Sequence, residues 1–256
     1  MSFNQRFKKA GFFKLLLLLL MSGENLCFAN TAKSCIEAIR DLNRKAQQSY
    51  ITFSGILEIQ KLFKEQKNPS IIAKKLFEIV LRERTFSLSS EIQNKLSALL
   101  KKKIIKSKEI SVTYYNQESD EIYLYNDFPK IEPNYIYYAS FIHEVEHALQ
   151  NYLLQEKFPN IKLEELDTVG LRTQQEIGAM LLEFDFIRYI PETERKKALE
   201  ETQRNNGPFI SEVDKTYFRN LLSGNYARPI DYIRAHQTSG RYSVESIEKF
   251  FESFRH

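Results

Sequence analysis

Two histidines four residues apart enclose a glutamate in the run His143-Glu144-Val145-Glu146-His147, an H-E-x-x-H pattern. On a helix each residue advances about 100°, so His143 and His147 stand about 40° apart and one turn along the axis. Their imidazoles can therefore aim at one metal ion. Glu144 falls about 100° round from His143, beside such an ion rather than on it. That is the place for a base acting on a metal-bound water. The 256-residue chain has only four histidines, and two of them occupy these positions.

A helix must carry the motif. Residues 135–154 contain neither Gly nor Pro, Pro133 and Asn134 stand just before them, and Pro159 lies beyond. Tyr138, Phe141, Val145, Leu149 and Tyr152 recur at spacings of three and four, which predicts one apolar stripe with His143, Glu144 and His147 largely off it. Before the helix, alternating apolar residues predict a β-hairpin of residues 109–115 with 121–126, turning through Asn116 to Asp120. After it comes a polar connector, 156–168, and then a second helix over about 172–190. That helix is apolar nearly all round (Ile177, Met180, Leu181, Leu182, Phe184, Phe186, Ile187), so it should be buried.

The second helix nonetheless carries Glu176 and Glu183, seven apart on one stripe. A buried carboxylate needs a partner, and a metal ion is a strong one. Glu176 is the expected third ligand. A competing reading treats Thr173-Gln174-Gln175-Glu176 as a capping box, with Glu176 bonding back to the helix start. Glu183 is the reserve ligand, or a group supporting a ligand, or a salt-bridge partner. Asp185 and Arg188, three apart, read as an ion pair.

The rest of the chain frames this centre. Arg6, Lys8 and Lys9 precede the apolar run Leu15 to Met21, and Cys27-Phe28-Ala29 offers small residues where a signal peptidase reads. Residues 1–29 are therefore expected to be a cleaved signal peptide, too short in its apolar run to anchor in a membrane. Export to the periplasm or the outside follows. Cleavage would reduce the net charge from +4 to near +1, which leaves no strong pull toward nucleic acid. Lys101-Lys102-Lys103 reads as a solvated helix end. Only Cys35 would remain, so no intrachain disulfide is expected and stability must come from a core. Residues 30–108 read as a helical N-terminal region up to about Lys106, with helix starts at Pro69-Ser70 and Ser89-Ser90-Glu91. Residues 109–256 read as the domain that carries the chemistry. Its C-terminal part is mainly helical, and Tyr232, His236 and Tyr242 are candidate transition-state stabilisers there. The fold class is α+β, predominantly helical.

A helix with His143-Glu144-x-x-His147, preceded by β-structure and followed by a Glu-bearing helix, resembles the zincin metallopeptidases. It resembles in particular the Glu-ligand branch called gluzincins, over about residues 109–190. Glu176-Ile177-Gly178-Ala179 fits the Glu-x-x-Ala form of that branch's ligand helix. The Asp that orients a zinc-binding histidine in some members is absent, so that support must come from elsewhere. The resemblance implies a zincin-like core, a Zn²⁺ cofactor held by His143, His147 and Glu176, Glu144 as the base, and a peptide or protein substrate aligned by the hairpin's edge. Two other classes fit the same residues: a zinc hydrolase of a non-peptide amide, such as a cell-wall cross-link, and a non-catalytic helical binding protein.

Overall fold

The computed structural model describes residues 30–44, 51–66, 68–107, 113–125, 135–161, 168–204, 216, 219–223 and 243–252. The expected signal peptide, residues 109–112 and 126 of the expected hairpin, and Tyr232, His236 and Tyr242 lie outside the described residues. No helix among the described residues is long and apolar enough to cross a membrane.

Helices dominate, and their starts follow local chemistry. After α1 (30–44) comes α2 (Phe53–Glu65), whose cap Thr52 accepts a bond from the Gly55 amide. Helix α3 (Pro69–Thr85) has Asn68 as its cap and Pro at its first position, where the missing N–H costs nothing. Helix α4 (Ser90–Lys102) starts on Ser89, whose side chain accepts from the Ile92 amide. The central helix α5 (Tyr135–Lys157) carries the motif. Then follow α6 (Val169–Arg188), α7 (Glu192–Arg204) and α8 (Val244–Glu252).

A small sheet stands against the helices: β1 (Ile104–Ser107), β2 (Tyr114–Asn116) and β3 (Glu121–Tyr125), in the order β1-β3-β2. β2 pairs β3 antiparallel, with Tyr115 opposite Ile122, and this is the expected hairpin in its described part. β1 pairs β3 parallel, with Ile104 opposite Ile122. This strand corrects the helical reading up to Lys106. Helix α4 ends at Lys102, and the β-branched pair Ile104-Ile105 then runs extended along a partner brought in from downstream. Lys103 is likewise more than a solvated end, because its Nζ lies 2.6 Å from Asp120 Oδ2.

Asp120 closes the hairpin turn in a left-handed conformation, φ 52°, which Asp tolerates better than most residues. Its Oδ1 accepts from the hydroxyls of Tyr115 (2.9 Å) and Tyr152 on α5 (2.7 Å). The turn is thereby fastened to the motif helix.

Helix α5 is not a surface helix with one polar side. Phe141, Val145, Leu149 and Tyr152 are buried as the stripe requires, but so are Glu146, Gln150 and Asn151 on other faces. Its main packing partner is α6, and α3, α4 and the hairpin also touch it. Fully burying a large apolar side chain such as Leu149 contributes about 1.5–3 kcal/mol, so the core gathers where these elements meet. Helix α6 is buried from Ile177 to Ile187, as its apolar residues require, while most of its first two turns are exposed or half-buried. Cys35 on α1 is a free, fully buried thiol, and burial raises its pKa.

Candidate metal centre

Helices α5 and α6 bring together the residues whose types suggested metal chemistry. One ligand atom from each of His143, His147 and Glu176 lies within 4.8 Å of the others. Glu176 spans both imidazoles: its Oε2 is 3.5 Å from His143 Nε2, and its Oε1 is 3.7 Å from His147 Nε2. Donors around a tetrahedral ion with bonds of about 2.0–2.1 Å stand about 3.3–3.4 Å apart. Two imidazoles and a carboxylate at this spacing fit a first-row divalent ion, so the three residues form a cluster able to hold a metal.

The capping-box alternative for Glu176 is overturned. Helix α6 starts three residues earlier than expected from position 172, and Thr168 is its cap, accepting from the Leu171 amide. Thr173 is already inside the helix, where its hydroxyl donates to Val169 O at 2.6 Å and accepts from the Ser243 amide at 2.8 Å. Glu176 is two turns in and has no helix start to bond back to. The expected Asp185–Arg188 contact is present at 3.4 Å.

Glu183 stands behind His143. Its side chain is only 3% exposed, and its Oε2 lies 3.3 Å from His143 Nδ1, on the far side of the ring from Glu176. A histidine in this position can donate its Nδ1–H to Glu183 while Nε2 faces a metal, which fixes its tautomer and orientation. The carboxylate that meets His143 Nδ1 thus stands on the same helix as Glu176, seven residues on.

Glu144 is off the ligand cluster. Its Oε2 accepts a 2.8 Å bond from the backbone N–H of Tyr115 on β2, the edge strand of the sheet. Burial pushes the Glu144 carboxyl up to about 7, against the opposing pull of His143 and the Tyr115 N–H. Burial disfavours charge on His143 too, but Glu176 and Glu183 outweigh it and hold its pKa well above the ordinary value. Burial prevails at His147 and lowers it. Burial also opposes ionisation of Glu176, yet the two histidines keep its carboxyl below the usual range. Metal binding at such a cluster competes with protonation of its imidazoles.

Three further features carry little signal in the sequence. Glu146, inside the motif, points away from the cluster into a buried pair with Arg84 of α3, at 2.5 Å and 3.0 Å. Gln150, one turn beyond His147, donates its Nε2 to Gln175 O on α6 at 3.1 Å. Gly178 sits in the interior of α6, where glycine costs about 1 kcal/mol relative to alanine. That cost is the one hint in the amino-acid pattern that something approaches α6 closely there.

No protein-family model matches the chain, and neither a curated protein nor a solved structure matches it.

Proposed function

We propose that the protein is an exported, zinc-dependent peptidase of gluzincin-like design, with His143, His147 and Glu176 as the metal ligands and Glu144 as the proton-transferring base. The observation that carries this reading is Glu176 meeting both imidazoles of the H-E-x-x-H helix while Glu144 stays off the ligand set. Zinc bound there would polarise a scissile carbonyl and make a water acidic near neutrality. The chain's own groups supply the rest. Glu144 takes the water's proton and returns it to the leaving nitrogen. Glu183 holds the His143 ring so that Nε2 faces inward. Export rests on the charged and apolar pattern of residues 1–29.

One observation favours the second reading, hydrolysis of a non-peptide amide. The Tyr115 N–H on the edge strand, which an extended peptide would use for main-chain pairing, is held by Glu144.

The test is Glu144→Gln. Gln keeps the shape of Glu and cannot take a proton. Zinc content and thermal unfolding are expected to match wild type, and hydrolysis to fall about 10²–10⁴-fold. Running peptide libraries beside cross-linked cell-wall fragments separates the two substrate classes. Full activity with zinc in place would overturn Glu144 as the base, and wild-type protein without zinc would overturn the metal reading.

A further inference from the structure

Glu176 reaches both histidines only when α6 lies at one height and one distance against α5. We propose that Gln150, Asn43 and Gly178 form a positioning clamp that sets this α5–α6 placement, and with it the affinity of the His143–His147–Glu176 cluster for a divalent cation. The inference rests on the metal-site reading above.

Two amide side chains from different helices grip the two backbone carbonyls just before Glu176. Asn43 of α1 donates its Nδ2 to Gln174 O at 2.7 Å, and Gln150 of α5 donates its Nε2 to Gln175 O at 3.1 Å. Both amides are buried, Gln150 fully and Asn43 to within 1%. Each carbonyl has a second lone pair, so these bonds add to those inside α6. Gly178 makes the approach possible. A Cβ at that position would run into Asn43 Oδ1 and Gln150 Nε2, closer than real Cβ atoms come. The glycine is therefore explained by the two amides that lie over it.

The clamp is also tied to the ligands. Gln150 follows His147 by three residues on the same helix face. Its Nε2 further reaches Glu146 Oε1 at 3.4 Å, the carboxylate that Arg84 holds, so one chain of contacts runs from α3 through α5 to α6. The remaining oxygen of Asn43, Oδ1, is buried without a hydrogen-bond partner among the described residues. An apolar pair would avoid that penalty. What the amides secure instead is the placement of Gln174 and Gln175, and so of Glu176.

The experiment uses the full chain and zinc alone, titrated against a chromophoric chelator, with Co²⁺ absorption as a second reading of ligand geometry. Gln150→Met keeps length and volume but loses both donors, and Gly178→Ala inserts the obstructing methyl. Each is expected to weaken zinc binding about 10–100-fold, as loss of support around metal ligands typically does, and to shift the Co²⁺ spectrum. Ile59→Ala, a core truncation on α2, is the control. It is expected to lower thermal stability and leave zinc affinity and spectrum at wild-type values. Wild-type affinity in both clamp variants would overturn the inference. Should Gly178→Ala fail to fold, Gln150→Met decides alone. A wild-type chain that binds no zinc would remove the metal reading and this inference together, and that arm is measured first.

Discussion

The two flanks of α5 bury acid side chains in different ways. Toward α3, Glu146 meets Arg84 in a two-bond contact, and on the same flank Phe77 stacks on Phe141 at 4.9 Å. Toward α6, Glu176 and Glu183 meet the imidazoles of His143 and His147. A guanidinium stays charged at any pH at which a protein folds, so the Arg84–Glu146 pair is complete as it stands. An imidazole holds its charge only with its proton, and a carboxylate–imidazole contact can exchange that proton for a metal ion. Burial of charge does not by itself separate structure from function in this molecule. The replaceability of the counter-charge does.

The largest expected effect is on the α3 flank. Arg84→Met leaves Glu146 fully buried without its guanidinium partner, which should cost about 3–5 kcal/mol in denaturant unfolding. Arg84→Met with Glu146→Leu should recover most of it, because an apolar pair replaces a buried ion pair at little cost. An additive double mutant would show that the pair is not a unit. Next comes the α6 flank. Glu183→Gln should leave unfolding of the metal-free chain within about 1 kcal/mol, since an amide still bonds the imidazole, and weaken zinc binding about 10–100-fold. A loss of stability as large as that of Arg84→Met would make the two flanks alike.

Asp185 on α6 gives the third measurement. Burial pushes its carboxyl up to about 6, despite Arg188 and Arg84. The folded chain thus holds this proton more tightly than the unfolded chain, where the carboxyl ionises near 4. Its stabilising contribution is full below about pH 4 and is lost as pH rises to about 6. Asp185→Asn never ionises, so relative to wild type it should gain about 2–3 kcal/mol across that window and keep the gain at neutral pH. Unfolding curves at pH 4 and pH 7 give the sign directly. The smallest effect belongs to the helix start. Thr168→Ala removes the α6 cap and should cost about 1 kcal/mol with zinc affinity unchanged.

The parts legible in the amino-acid order are those set by short-range chemistry. The 3.6-residue pattern marks α5, Pro69-Ser70 and Ser89-Ser90-Glu91 mark helix starts, and i,i+4 histidines mark the centre. Glu176 and Glu183 share a stripe, which brings both to the cluster, but their roles differ by which side of the His143 ring each reaches. That is a matter of helix placement, not spacing. The strand β1 is hidden because its partner lies downstream and its four residues follow a helix without a break. Arg84 lies 62 residues from Glu146 and Asn43 lies 131 from Gln174. No local pattern records such pairs, so the N-terminal helices' hold on the centre is invisible in the sequence. His236 offers a residue type without a spacing, and it lies outside the described residues.

Cys35 adds a clock to this molecule. The thiol has no exposed surface and sits on α1, the helix that also carries Asn43, with Ile36 packed against α6 at Gly170. A soluble thiol reagent can reach it only when α1 lifts. If opening and closing are fast against the chemistry, the labelling rate divided by that of a free thiol is the fraction of time α1 stands open. Cleavage after residue 29 would leave this as the single thiol in the chain, so the readout would need no engineered label. Adding zinc should slow the labelling to the extent that the metal site and α1 share one opening, and leave it unchanged if they open separately.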